Sequence, residues 1–450
     1  MAEITDKDIG QIISNLDVNE LKEQSNEPEV EPLAFALDRI SGIARRLGAS
    51  KKLVDKIAGY DRTIDFDIPV VLERRAGGKE LMKIFSGFWI EHNSILGKYK
   101  GDISFMPGLS IEKAKLSALH STLQNAMLEL PFGGAAGGIS INKRILTLKE
   151  MEGLAKNYIN SLLKIDGSGK DIFSAGAGCE ERMMSLMYET YKSKVKGTLK
   201  SDFLGKQMQD GGIRARSNAV ALGIFFMINE ALKGIEVSGI PGLQKHDDII
   251  KKSQKEMKVA LMGFGDVEKE LSIMLSSAGY KIIAISDSLG GAASASGMYA
   301  EDAARWQRNH SSVAGMPKTV KLSREQMLEV RADVLVVSSP VEINTKNMHK
   351  IKASVVVELL PVISASALAE ISKSRAVVPY ILSSSVRAYA DYLEFLQNKE
   401  DKYFDRKEID KKLEEKTREI FRIVDGISRQ HAVNLQDACY ILALQNLAKI

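Results

Sequence analysis

The stretch Leu130–Ile141, LPFGGAAGGISI, constrains this chain more than any other. Two glycine pairs, Gly133-Gly134 and Gly137-Gly138, enclose Ala135 and Ala136. Glycine tolerates positive φ and lets another backbone or a ligand come close, so the stretch predicts the border of a site rather than a core. It reads equally as a glycine-rich turn between elements. The residues held between the pairs carry only methyl groups, so such a cradle presents no reactive side chain.

A chain of 450 residues exceeds one ordinary core and predicts two domains or more. Lys+Arg 62 against Asp+Glu 58 leaves a net charge of +4. With no long basic run and no aromatic–basic stripe, that balance argues against a nucleic-acid binder. The two cysteines, Cys179 and Cys439, form no disulfide framework and predict a reducing, cytoplasmic setting. The polar start MAEITDKDIG predicts no signal peptide. No uncharged apolar run reaches the length that spans a bilayer, so no membrane partner is expected. Of the 6 histidines, no pair sits at ligand spacing, so no metal site is expected.

Residues up to about Pro32 read as a weakly structured or short helical arm, in which NELKEQSNEPEVEP is acidic, polar and solvated. PLAFALDRISGIARRLG then places Leu33, Phe35, Ala36, Ile40 and Ile43 near one helical face. IDFDIPVVLE and KIFSGFWIEHN alternate apolar and polar residues and read as paired strands. KYKGDISF is a further strand, with a turn expected at Gly101. Ser110–Glu129 reads as a helix feeding into the glycine stretch. Thr147 and Glu150 form a capping box, since each side chain can satisfy the other's free backbone N–H. Beyond Gly211, Ser217–Lys233 is a long helix. Strand candidates then alternate with helices: Val259–Met262, Ile282–Ser286, Val334–Ser338, Val355–Glu358 and Val377–Ile381. That alternation predicts a parallel, doubly wound sheet covered on both faces. Lys407–Val424 and Leu435–Ala448 close the chain as helices.

VALMGFGDVEKEL runs from a buried strand into a helix, and Asp287 ends the next strand about twenty residues on, as a ribose-binding acid should. Gly263 and Gly265 supply the first two glycines. The third position is Glu268, whose side chain is expected to intrude between helix and strand. Asp266 and Glu268 also put two negative charges where a pyrophosphate should be attracted. The segment reads equally as a Rossmann-type domain that keeps its fold and has lost its dinucleotide.

Together these segments resemble the glutamate dehydrogenase and wider amino-acid dehydrogenase family. The resemblance rests on Tyr99-Lys100-Gly101, LPFGGAAGG, the Gly211-Gly212 turn, GFGDV with SDSLGG, IKASVVVE and YLEFLQN. It implies a two-domain α/β fold: a mixed α/β oligomerisation and substrate domain over 1–213, completed by the C-terminal helix 425–450, and a Rossmann-like doubly wound domain over 214–424, with a cleft between them. It implies NAD or NADP as cofactor and a homohexamer.

The resemblance also assigns the polar groups. Lys100 matches a lysine that binds a substrate carboxylate. Gln124 stands where a second such lysine is expected. Ala136 stands at the catalytic lysine and Gly176 at the catalytic aspartate. Asp391 replaces a serine that helps bind the glutamate side chain, and its charge is expected to repel a substrate carboxylate. Val220 replaces a threonine at the nicotinamide, and Pro361 an asparagine, while Arg216, Asp287, Gly263 and Gly265 remain.

Oxidative deamination needs a hydride acceptor, a base for the amine and an activated water. Proton-transfer groups are typically worth about 10²–10⁴ in rate each, and neither Ala136 nor Gly176 supplies one. Lys143 and Arg144 are the nearest basic residues and read as surface. Cys179 reads as a buried thiol, or as a nucleophile lacking a histidine partner. Glu180 and Glu181 suit a helix N-terminal turn or a carboxylate near the cleft, and His92 and Asn93 are expected to hydrogen-bond within the first domain. Three functions follow as expectations. The first is a catalytically impaired paralogue with a structural, regulatory or ligand-binding role, assembling with itself or an active relative. The second is an NAD(P)-dependent amino-acid oxidoreductase with altered substrate or mechanism. The third is a nucleotide or metabolite sensor without turnover. The ligand's identity is left open.

Overall fold

The glycine-rich stretch is a β-strand. In the computed structural model, Phe132–Ser140 runs through the middle of a sheet, and all of it except its last residue is buried. The structure describes residues 32–72, 81–142, 145–165, 171–213, 216–238, 254–339 and 341–450. The arm before Pro32, together with Lys143 and Arg144, lies outside the described residues.

The chain divides into two units. The first takes Pro32–Arg216, Arg387–Lys411 and Cys439–Ile450, and the second includes Ser217–Val386 and Lys412–Ala438. Within the first, the strands are β1 (Arg62–Leu72), β2 (Leu81–Asn93), β3 (Lys98–Met106), β4 (Phe132–Ser140), β5 (Asp171–Ala175) and β6 (Phe203–Leu204). Their order across the sheet is β1-β2-β4-β3-β5-β6. β1 pairs antiparallel with β2, as the alternation predicted, and β2 antiparallel with β4, while β3, β4, β5 and β6 run parallel.

Glycine is depleted in strands, so its use at the sheet's centre needs a cause. A Cβ on Gly134 would lie 2.1 Å from Thr122 Oγ1 and 2.6 Å from the Ala118 carbonyl oxygen, both on helix Ile111–Met127. A Cβ on Gly138, whose φ is +143°, would lie 1.9 Å from the Ser104 carbonyl. The glycines therefore buy close approach of a helix and of β3 rather than a turn. The same reason corrects the turn expected at Gly101. β3 runs straight through it, and a Cβ there would meet the Ala135 carbonyl oxygen at 2.1 Å.

One face of this sheet packs Phe66, Trp89, Phe105, Tyr158 and Phe173 into a core with helices Leu148–Ile165 and Glu181–Lys192. The Thr147–Glu150 box forms as expected: Thr147 N donates to Glu150 Oε2 at 2.7 Å, and Glu150 N to Thr147 Oγ1 at 3.3 Å. The opposite face carries helix Ile111–Met127, with Phe88, Ile90, Ala114, Ala118 and Ala136 packed together.

The second unit's strands are β7 (Lys258–Met262), β8 (Lys281–Asp287), β9 (Gly290–Ala293), β10 (Val320–Leu322), β11 (Val334–Val337), β12 (Val355–Glu358) and β13 (Ala376–Val378). Their order is β10-β9-β8-β7-β11-β12-β13. From β8 to β13 the neighbours are parallel, while β9 and β10 add antiparallel pairs at one edge. VLVV and VVVE are buried at every residue, as strands covered on both faces must be. β9, GGAA, has no β-branched residue, so periodicity gave no sign of it. The last candidate strand is shorter than expected: it ends at Val378, and Pro379 caps a short helix, Tyr380–Ser383.

Candidate functional site

Lys100 sits on β3 beside the glycine strand, and its side chain is buried. Its Nζ lies 3.0 Å from Asp391 Oδ2. Asp391 is on helix Ser385–Glu400 and is fully buried. Its other oxygen, Oδ1, accepts from Arg216 Nη2. Burial works to raise the Asp391 carboxyl, but Lys100 and Arg216 outweigh it and hold it below the usual carboxylate range. Burial likewise disfavours the charged Arg216, yet Asp391 holds its guanidinium pKa above the ordinary value. The carboxylate expected to repel a substrate is thus the counterion of the buried Lys100 and the part-buried Arg216.

The same helix makes a second buried pair one turn on. Glu394 Oε1 lies 2.9 Å from Lys206 Nζ, and neither side chain is exposed. Glu394 Oε2 accepts from Gly205 N at 2.9 Å. The Lys206 ammonium also donates to the carbonyl oxygens of Lys200, at 3.0 Å, and Phe203. Removing two charges from water is tolerated only when the remaining donors and acceptors are also satisfied, and here they are.

Period-two alternation puts Lys100, Asp102 and Ser104 on one face of β3. In register, Asp102 neighbours Ala136 on β4 and Ser174 on β5. Ser174 Oγ donates to Asp102 Oδ1 at 2.5 Å, and Arg387 Nη1 lies 3.6 Å from Asp102 Oδ2. The Asp102 side chain is 31% exposed, and that of Arg387 24%, so this pair is accessible where the Lys100 pair is not.

Gly176 follows β5, and the space a side chain would need there is filled. An added Cβ would lie 2.3 Å from Ser104 Oγ, 2.8 Å from the Ile103 carbonyl oxygen and 3.0 Å from Asp102 Cβ. Ala136 is 4% exposed, within the apolar cluster of Phe88, Ile90, Ala114 and Ala118. Gln124 is buried on helix Ile111–Met127. Cys179 is buried, and its backbone N donates to the Gly176 carbonyl at 3.1 Å. His92 hydrogen-bonds within the unit, as expected. Its Nε2 meets the Ile57 carbonyl at 2.9 Å and therefore carries the proton, which leaves Nδ1 to accept from Thr122 Oγ1 at 2.7 Å and Asn93 Nδ2 at 2.9 Å. Burial lowers its pKa to about 4, consistent with that neutral form.

In the second unit, Gly263 and Gly265 form the turn between β7 and helix Asp266–Ser277, and Asp287 ends β8. Val220 is buried on helix Arg216–Ser238. Pro361 follows β12 and is exposed. Glu268 does not intrude between helix and strand as expected. Its side chain turns back, and Oε2 accepts from Gly265 N at 2.8 Å. Among the described residues no group of three or more His, Cys, Asp or Glu could hold a metal ion, and no helix is long and apolar enough to cross a membrane.

Residues 211–450 match the Glutamate/Leucine/Phenylalanine/Valine dehydrogenase family, and residues 61–193 match the Glu/Leu/Phe/Val dehydrogenase dimerisation domain. The chain belongs to this family. A glutamate dehydrogenase of Thermotoga maritima is 26% identical over 425 residues, covering 94% of this chain and 97% of that one. An NAD-specific glutamate dehydrogenase of Staphylococcus aureus is 26% identical over 409 residues, 90% of this chain and 93% of its own. The hetero-hexameric glutamate dehydrogenase of Thermus thermophilus, in a Leu-bound form, shares the fold with a TM-score of 0.82 at 23% identity, covering 95% of this chain and 98% of that chain.

Of the positions singled out from the sequence of this Glu/Leu/Phe/Val dehydrogenase relative, Lys100, Asp391 and Arg216 meet in one ion cluster. Asp102, Ser174, Arg387, Lys206 and Glu394 were not foreseen. Alternation along β3 could have flagged Asp102, two residues beyond Lys100. Helical spacing could have flagged Glu394, three residues beyond Asp391.

Proposed function

We propose that this chain is a catalytically impaired member of the Glu/Leu/Phe/Val dehydrogenase family with a structural, regulatory or ligand-binding role. The observation that carries the reading is the closed ion cluster at Lys100. Asp391 Oδ2, 3.0 Å from the Lys100 ammonium, already makes the contact that a substrate carboxylate would need. A substrate carboxylate arriving there would have to displace the buried Asp391 from the ammonium or share it with that second carboxylate.

The proton-transfer groups are missing as well. Ala136 bears none, and the space beside Gly176 is taken by Ser104 and Asp102. Asp102 is a carboxylate near both positions, but its cationic partner is Arg387. A guanidinium keeps its proton at any ordinary pH and cannot serve as the base for an amine.

The Thermus thermophilus relative is a hetero-hexamer. By that likeness this chain is proposed to assemble as a hexamer, with itself or with an active relative.

A second reading, an NAD(P)-dependent oxidoreductase with a changed substrate, is favoured by the accessible Asp102 carboxylate. One assay separates the two: purified protein, a panel of L-amino acids, and both NAD⁺ and NADP⁺. The first reading expects no turnover. Turnover at ordinary enzyme rates, about 1–10³ per second, would remove it, and a collapse of that rate in Asp102→Asn would establish the second.

A further inference from the structure

The dinucleotide turn of the second unit carries its own anion. A helix N-terminus offers free backbone N–H groups and a positive dipole end, and a glycine turn lets a phosphate approach them. Here the turn is intact as backbone. Gly263 has φ +124°, and a Cβ on it would lie 2.0 Å from Ser338 Oγ and 3.1 Å from the Ser338 carbonyl carbon, so glycine is still required. The N–H of Gly265, however, is taken. It donates to Glu268 Oε2 at 2.8 Å, and that oxygen lies 2.9 Å from where a Gly265 Cβ would stand. The carboxylate covers the bare face of glycine that close approach of a phosphate would use.

Charge points the same way. Asp266 and Glu268 lie in the first turn of helix Asp266–Ser277, and Lys269 pairs with Asp266, at 3.5 Å. One negative charge is left over at the position where a pyrophosphate would bring more.

The acid expected to bind a ribose is also engaged. Asp287 Oδ1 accepts from Ser312 Oγ at 2.9 Å and Leu289 N at 2.9 Å. Its Oδ2 accepts from Val313 N at 2.7 Å and Gln307 Nε2 at 3.3 Å. A carboxylate has about four acceptor sites, so these four donors fill it. Gln307 Nε2 also donates to the Phe264 carbonyl at 3.2 Å, tying the glycine turn to Asp287. The residues present therefore do not fit a dinucleotide as they stand: the phosphate donor is occupied and the ribose acceptor is full.

We propose that Glu268 is an internal ligand of the glycine turn, a specificity-determining residue that excludes a dinucleotide phosphate from this unit. Asp287 completes the exclusion through Ser312, Val313, Leu289 and Gln307. The barrier lies wholly in the second unit and does not depend on the Lys100–Asp391 pair, so either idea can fail alone.

The test is NADH binding by the full chain, followed by fluorescence and by calorimetry, in wild type, Glu268→Ala and Glu268→Gln. Thermal melts establish that each variant is folded, and Glu268→Gln carries the test if Glu268→Ala is not. Both variants are expected to bind at least tenfold more tightly than wild type. Glu268→Ala should bind more tightly than Glu268→Gln, because the amide oxygen can still accept from Gly265 N. Inorganic pyrophosphate should compete with NADH in the variants. Wild type binding NADH as tightly as the variants would overturn the proposal. So would folded variants that bind no better than wild type.

Discussion

Lys100 and Asp391, 291 positions apart in sequence, meet as a buried ion pair at 3.0 Å, and Arg216 shares the same carboxylate. The Lys100 ammonium is thereby paired from within the unit, and Asp391 answers two positive charges at once. That inequality makes the cluster testable by charge bookkeeping.

Asp391→Ser leaves the buried Lys100 and the part-buried Arg216 without the carboxylate they share. Breaking a buried pair in this way costs about 3–5 kcal/mol. Lys100→Met leaves the Arg216–Asp391 pair standing and should cost less. Thermal melts at neutral pH are expected to fall further for Asp391→Ser than for Lys100→Met, and the reverse order would show that Asp391 is not the shared counterion. Because its folded pKa is lowered, the Asp391 contribution is full above the ordinary aspartate value and is lost only as pH falls through that lowered value.

Placing a lysine at Ala136 and an aspartate at Gly176, as the proposed reading would have it, should not bring chemistry to the site. In Gly176→Asp, the new Cβ must displace Ser104 Oγ from 2.3 Å and meets the Ile103 backbone at 2.8 Å. Overpacking of this kind costs about 1–3 kcal/mol. Ala136→Lys adds an ammonium to the cluster of Phe88, Ile90, Ala114 and Ala118. The double variant is expected to melt lower than wild type and to show no glutamate oxidation with NAD⁺ or NADP⁺. Robust activity would mean that the Lys100–Asp391 pair does not block the substrate.

Asp171, buried on β5, supplies a pH dependence. Burial, and then the nearby Glu91 carboxylate, push its carboxyl up to about 7. The folded chain binds this proton more tightly than the unfolded chain does. The stabilisation is therefore complete below the unfolded value, about 4, and is lost as pH rises through the folded value of about 7. Asp171→Asn is expected to flatten the fall in melting temperature between about pH 4 and 7. Equal slopes for wild type and variant would exclude Asp171 as the titrating group.

Gly134→Ala tests why the central strand is glycine. The added methyl meets Thr122 Oγ1 at 2.1 Å, Thr122 N at 2.5 Å and Ala118 O at 2.6 Å. Two of these three are backbone atoms, so helix Ile111–Met127 must move. The loss should reach or exceed the roughly 1–3 kcal/mol of ordinary overpacking. Gly153→Ala, inside helix Leu148–Ile165 where a Cβ meets nothing within 4 Å, is the control and should raise the melt, since alanine is favoured over glycine in a helix interior by about 0.5–1 kcal/mol.

What the sequence determined by itself was local or periodic. The Thr147–Glu150 box closes across three residues, and VVVE at Val355–Glu358 is an apolar run that both faces of a parallel sheet must cover. The order of motifs was also enough to name the family. LPFGGAAGG did not disclose its own conformation, because glycine's freedom suits a turn, a site or a crowded strand, and only the nearness of Thr122 and Ser104 chooses among them. Asp391 read as a repulsive charge until the fold supplied Lys100 and Arg216. Glu268 read as an intruding side chain until its rotamer was seen to return to Gly265. Backbone propensity and hydrophobic period act over a few residues and are written along the chain. The partner of a buried charge is chosen by which strands and helices come into contact, and that was decided only by the tertiary structure.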